Sequence, residues 1–176
     1  MTTRLTTVVA LILAVAVTDG CSRKSRAGEY YDEAKKFSII PPASWEPRTD
    51  KGVDVVFESP TDRRLPMYQE NIGVAIEASG SRSLDDFVRV SMTAMYGKTR
   101  GDQVTASATD FDFGNIKAKR LVIVTPVEGR SVPIQTVAYV AVKEKKAYII
   151  TGSTIPERFS TFEATFDACA RTFRVE

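Results

Sequence analysis

The chain has 176 residues, 43% of them apolar and 26% charged, which suits one domain with a single core and excludes a disordered or coiled-coil chain. Its 24 basic and 22 acidic residues leave a net charge of +2, so there is no global pull toward nucleic acid or an anionic membrane. Histidine is absent, which removes the commonest metal ligand and the side chain most used for proton transfer near neutral pH.

Residues 1–20 read as an export signal. Arg4 precedes the unbroken apolar run 8–17, and Thr18-Asp19-Gly20 stand immediately before Cys21, the layout of a bacterial secretory signal. The run is about half of the ~20 residues that span a bilayer, which argues against a permanent transmembrane helix. Gly20-Cys21 resembles a lipobox, in which a small residue precedes the cysteine that is acylated and becomes the new N-terminus. Thr18 and Asp19 depart from the aliphatic and small residues of that pattern. Two outcomes stand. Either Cys21 is a lipid anchor, with enough acyl chains for stable membrane attachment, or ordinary cleavage leaves Cys21 as a thiol that can seek Cys169. Residues 21–29, with Arg23, Lys24 and Arg26, read as a short basic tether. A single domain is expected over residues 30–176.

Tyr30 and Tyr31 lead into a short strand at Phe37-Ser38-Ile39-Ile40, closed by Pro41-Pro42. Trp45, the only tryptophan, is read as a lid on one end of the core or, alternatively, as a ligand-facing ring. Val53, Val55 and Phe57 alternate with Asp54, Val56 and Glu58 in a second strand that stops at Ser59-Pro60. Residues 61–69 have no periodicity and form a loop carrying Arg63 and Arg64. Ile72, Val74 and Ile76 alternate in a third strand. A helix then starts at Ser83, whose hydroxyl can cap the N–H of Asp86, with Leu84, Phe87, Val88, Ser91 and Met95 on one face. Asp85 and Asp86 fit the positive end of that helix better than a metal site. Residues 97–101 end it.

Strands resume at 104–108, with residues 110–115 at or near a turn and a return over 116–125. In the return, Lys117 and Lys119 face one way and Ala118 and Arg120 the other, before residues 121–124 turn apolar on both faces. Asp110 and Asp112 share a face, but two carboxylates are too few for calcium's six to eight oxygens, and solvated charges are the better reading. Residues 125–133 form a second long connection, with Arg130 near its tip.

The last third has the clearest pattern. Residues 137–142 are apolar on both faces, as in a central strand covered on each side, and pair with residues 147–151 across the charged loop Lys143-Glu144-Lys145-Lys146. Thr154 and Glu157 have capping-box spacing around Pro156, opening a final helix. Phe159, Phe162, Phe166, Cys169 and Phe173 continue it as one apolar stripe, with Cys169 as a small buried hydrophobe. Without a histidine to activate it, Cys169 is not read as a nucleophile.

The strand Phe37 to Pro41 with Trp45, the helix start Ser83-Leu84-Asp85-Asp86-Phe87, the pair Tyr139-Val140-Ala141-Val142 and Tyr148-Ile149-Ile150-Thr151, and the closing Phe159 with Arg171-Thr172-Phe173 together resemble the PsbP/Mog1-like superfamily. The resemblance covers most of residues 30–176. It implies an α+β fold: an α/β/α sandwich around a central antiparallel sheet. Its known members, among them photosystem II extrinsic proteins, a nuclear transport factor and bacterial envelope lipoproteins, are binding and assembly modules without a shared catalytic site. No functional residue carries over. The photosynthetic members' metal contacts involve histidines, so an oxygen-evolution role is not expected.

The leading expectation is a lipid-anchored protein of the bacterial cell envelope, facing the periplasm. It would be non-catalytic, without cofactor or metal, and would bind or help assemble a membrane-associated protein through Arg63, Arg64 and Arg130 on the two long loops. A second expectation is a carrier of a small apolar ligand in a cleft near Trp45, Met67 and Tyr68. No nucleic-acid partner is expected.

Overall fold

The computed structural model describes residues 26–62, 68–96, 105–113, 116–127, 129 and 131–176. Three short strands come first: β1 (Tyr30–Asp32), β2 (Phe37–Ile39) and β3 (Glu46–Arg48). They are followed by β4 (Val55–Glu58), β5 (Asn71–Ala78), α1 (Leu84–Tyr96), β6 (Thr105–Phe113) and β7 (Ile116–Thr125). The chain closes with β8 (Ile134–Lys143), β9 (Lys146–Thr154), α2 (Pro156–Arg171) and β10 (Arg174–Val175). A large sheet runs β3-β4-β5-β9-β8-β7-β6 and a small one β1-β2-β10. Every neighbouring pair in both is antiparallel.

The large sheet is covered on both faces, and β8 shows why. Along it Val137, Tyr139 and Ala141 enter the core beneath α2, whereas Ala138 and Val140 enter a second core beneath α1. Residues 137–141 are all buried, so this strand has no wet face and its apolar run is continuous. Hairpin β8–β9 turns on two residues, Glu144 and Lys145, at φ of 52° and 62°. Both angles belong to the primed turn whose twist matches antiparallel strands, although neither residue is the Asn or Gly it favours. The N–H of Ser79, just beyond β5, donates to the Lys145 carbonyl at 2.8 Å and ties the turn to the neighbouring connection.

The helix over the first face starts as its sequence directs. The Asp86 N–H donates to the Ser83 hydroxyl at 3.2 Å, and Phe87 is buried with Leu84, Val88 and Met92 packed around it. Met95 has its side chain outside the described residues, as does the expected helix end at 97–101. β7 divides its cations as the alternation requires. Lys119 reaches Asp110 at 2.8 Å and Asp85 at 3.6 Å on the α1 side, and Arg120 reaches α2 from the other.

Two expectations change. The polar stretch Thr151-Gly152-Ser153-Thr154 continues β9, so Thr154 is a buried strand residue and not a helix cap. Ile155 takes the cap position without a side-chain bond, and Pro156 starts α2 with φ already suited to it. Residues 110–113 form the end of β6, next to the return into β7, with Phe111 and Phe113 buried and the two aspartates outward. α2 stops at Arg171, so Phe173 lies beyond it, wholly buried, with its ring stacked on Phe37 of β2. Glu46-Pro47-Arg48 forms an edge strand, the position in a sheet where proline is tolerated.

Candidate functional site

The neck of the loop at 59–70 is built around one buried carboxylate. Glu70 has a side chain only 2% exposed. Its Oε1 is 3.0 Å from Arg158 Nε in the first turn of α2 and also accepts the Thr154 hydroxyl at 3.3 Å. Its Oε2 accepts the Ser59 hydroxyl at 3.0 Å. Ser59 donates its N–H to the Glu70 carbonyl at 2.8 Å, and the Gln69 amide donates to the Ser59 carbonyl at 2.8 Å. Arg158 also binds Asp62 at 3.1 Å and lies 5.0 Å over the Phe162 ring. The loop is thus pinned at both ends to α2.

A second ionic cluster joins α2 to the sheet. Arg120 donates from Nε to Asp167 at 2.9 Å and from Nη2 to Glu163 at 2.5 Å. The Tyr139 hydroxyl donates to the same Asp167 oxygen. Burial, then that carboxylate, pushes the Tyr139 hydroxyl well above its usual range, so it stays a donor. The Cys169 thiol is pushed up to about 12 by burial, which keeps it protonated and unreactive. Each of these groups is held by a partner or by apolar packing, and the arrangement offers no activated nucleophile. Among the described residues no group of three or more His, Cys, Asp or Glu side chains is placed to hold a metal ion.

Residues 26–29 are docked on the domain. Arg26 binds Glu29 at 2.6 Å and donates to the Thr172 carbonyl at 2.8 Å. The Glu29 side chain is 1% exposed. Burial raises its pKa, but hydrogen bonds from the Arg26 backbone and guanidinium and from Ser38 outweigh it and lower the carboxyl to about 2. The folded value lies below the ordinary 4.5, so this stabilisation is complete above about pH 4.5 and is lost as pH falls from there toward 2. In urea titrations at stepped pH, Glu29→Gln should show a shallower fall of stability across that window than the parent. Parallel curves would contradict the assignment.

The face beneath α1 holds an apolar cavity of about 200 Å³. Gly73 and Ala75 of β5 and Ala138 of β8 floor it, and Phe87, Val88 and Met92 of α1 roof it. One helix, about 10–12 Å across, covers roughly two strands spaced about 4.8 Å apart. α1 packs over β8, and the small side chains on β5 leave the space beside it unfilled.

The PsbP family model matches residues 25–175, nearly the whole described domain. The chain belongs to the PsbP family. Its fold superimposes on the solution structure of cyanobacterial PsbP (CyanoP) from Synechocystis sp. PCC 6803 with TM-score 0.61 and 26% identity, over 84% of this chain and 91% of that one. It is also similar to the Saccharomyces cerevisiae Ran-binding protein Mog1p, with TM-score 0.57 and 10% identity over 84% and 94% of the two chains. LpqN of Mycobacterium tuberculosis, involved in cell envelope biogenesis, aligns with TM-score 0.56 and 9% identity over 79% and 82%. At such identities Mog1p and LpqN share the fold alone. No curated protein sequence matches the chain. Among the described residues no helix is long and apolar enough to cross a membrane.

The PsbP domain places the sequence-predicted residues unevenly. Cys21, Arg63, Arg64, Met67 and Arg130 lie outside the described residues. Trp45 is half-buried on the α2 side, with its ring 6.3 Å from Phe162 and 6.4 Å from Phe166. Neither Trp45 nor Tyr68 borders the cavity beneath α1. Glu70 and Arg158 escaped the sequence reading, because a lone carboxylate between a loop and a strand has no periodic signal. Arg120 did carry one: a cation sharing a face with Ala118 and Val122 requires a partner across the core.

Proposed function

We propose that this PsbP-family protein is exported and lipid-anchored through Cys21, and that its domain is a non-catalytic module that binds or helps assemble a membrane-associated protein. The observation that carries this reading is the docking of Arg26 on the domain, so soon after the lipobox-like Gly20-Cys21. The five steps from Cys21 to Arg26 reach at most roughly 18 Å when fully extended. An acylated Cys21 therefore holds the domain against the bilayer, and partners bound to it are membrane-associated ones. The loops that carry Arg63, Arg64 and Arg130 supply the contact surface. Support for a binding role comes from the buried carboxylates Glu29 and Glu70, both engaged, and from the Cys169 thiol, which stays protonated. It also comes from likeness of fold to proteins described by Ran binding or envelope biogenesis.

Two measurements test the reading. Globomycin should block maturation, and Cys21→Ala should move the protein from the membrane to the soluble fraction; membrane retention of that variant would overturn the anchor. A cross-linked membrane pull-down should recover a protein partner that is lost when Arg63, Arg64 and Arg130 are neutralised together in a normally folded variant. Undiminished capture would remove those loops from the interface.

A further inference from the structure

We propose that the cavity between α1 and the sheet is a binding site for the hydrocarbon part of a small uncharged amphiphile, a chain of about six to eight carbons ending in a hydroxyl-type head. This site does not depend on the anchor or on a protein partner. Three observations carry it. The volume of about 200 Å³ exceeds the roughly 150 Å³ at which an apolar protein cavity stays dry and admits benzene. The sheet face beneath it carries side chains too small to fill it, Gly73 and Ala75 on β5 and Ala138 on β8, with Thr151 of β9 between Gly73 and Ala138. An unfilled apolar void lowers stability, and these three positions hold it open.

The third observation is the rim. Ser91, Thr136 and Thr151 border the cavity and are half-exposed, offering hydroxyls where the head of a bound chain would emerge. Thr151 Oγ1 already lies 3.0 Å from where a Gly73 Cβ would sit, so the backbone approaches that hydroxyl closely. Glu77 is the charged residue at this edge and is exposed. Its carboxylate disfavours an anionic head such as that of a fatty acid.

The test is a chain-length series of primary alcohols from butanol to dodecanol, titrated into the purified full-length chain and followed by amide chemical shifts. Each added methylene should tighten binding about fourfold until the cavity is full near eight carbons, after which affinity should level off. Shifts should centre on residues of α1, β5 and β8. Hexanoate should bind at least tenfold more weakly than hexanol, and Glu77→Gln should narrow that gap while leaving hexanol unchanged. Ser91→Leu and, separately, Ala75→Val fill the space and should weaken hexanol binding at least tenfold while the melting temperature holds or rises. Saturable binding with a plateau supports the site. Absence of saturable shifts, affinity that climbs without a plateau, or binding unchanged in both filled variants would overturn it. Equal binding of hexanoate and hexanol to the parent would overturn the head-group assignment.

Discussion

Gly152→Ala should destabilise the domain by about 3 kcal/mol, the upper end of the cost of overpacking. A Cβ at this position would lie 2.4 Å from Cγ, 2.5 Å from Cδ1 and 2.9 Å from Cβ of Phe166. Turning the ring cannot remove the clash, because the Phe166 Cβ is itself too close. The ring also has nowhere to go. It is 1% exposed, stacked on Phe162 and met edge-on by Trp45. Gly152 therefore serves by having no side chain, letting α2 approach β9 closely enough for Phe166 to lie on the sheet. Phe166→Ala alone should cost about 3–5 kcal/mol through the cavity it leaves. The double variant should cost clearly less than the two single losses added together, since deleting the ring relieves most of the clash. Urea unfolding of the four proteins measures this. Strict additivity, or a Gly152→Ala protein within about 0.5 kcal/mol of the parent, would refute the packing account.

Gly152 also marks where sequence patterns lose their force. Residues 137–142 and 147–151 were legible as a central hairpin because burial on both faces makes the run continuously apolar. Ser83 was legible because a cap acts three residues away. Thr154, by contrast, has the right spacing from Glu157 for a capping box, yet β-pairing with Gln135 keeps it in the strand. A local signal was overridden by a partner nineteen residues upstream. The same holds for the small sheet, in which Phe37 pairs with Val175 and neither end of the chain announces the other. The cavity beneath α1 is a shortfall of volume summed over several elements, which no single stretch encodes. The family resemblance did transmit the layered architecture, because that rests on the long strands and on the helix stripes.

Arg158→Ala should be as damaging as the loss of a core aromatic, about 3–5 kcal/mol, although Arg158 is only partly enclosed. The reason is its partner. Removing the guanidinium leaves the Glu70 carboxylate, 2% exposed, with only the hydroxyls of Ser59 and Thr154. An uncompensated buried charge costs far more than an intact pair contributes. Replacing both partners by apolar side chains of similar size, Glu70→Leu with Arg158→Met, should therefore cost less than Arg158→Ala alone. Arg158→Lys keeps the charge but cannot reach Glu70 and Asp62 together as the planar fork does, and should fall between. The consequence extends to the loop. Its neck is fastened to α2 through Glu70 and Asp62, so Arg158→Ala should raise the rate of proteolytic cleavage between residues 59 and 70 at temperatures where the domain remains folded. If the proposed partner surface sits on that loop, capture of the partner should weaken in parallel. A loss below about 1 kcal/mol, with the loop no more susceptible than in the parent, would show that Glu70 is satisfied without Arg158.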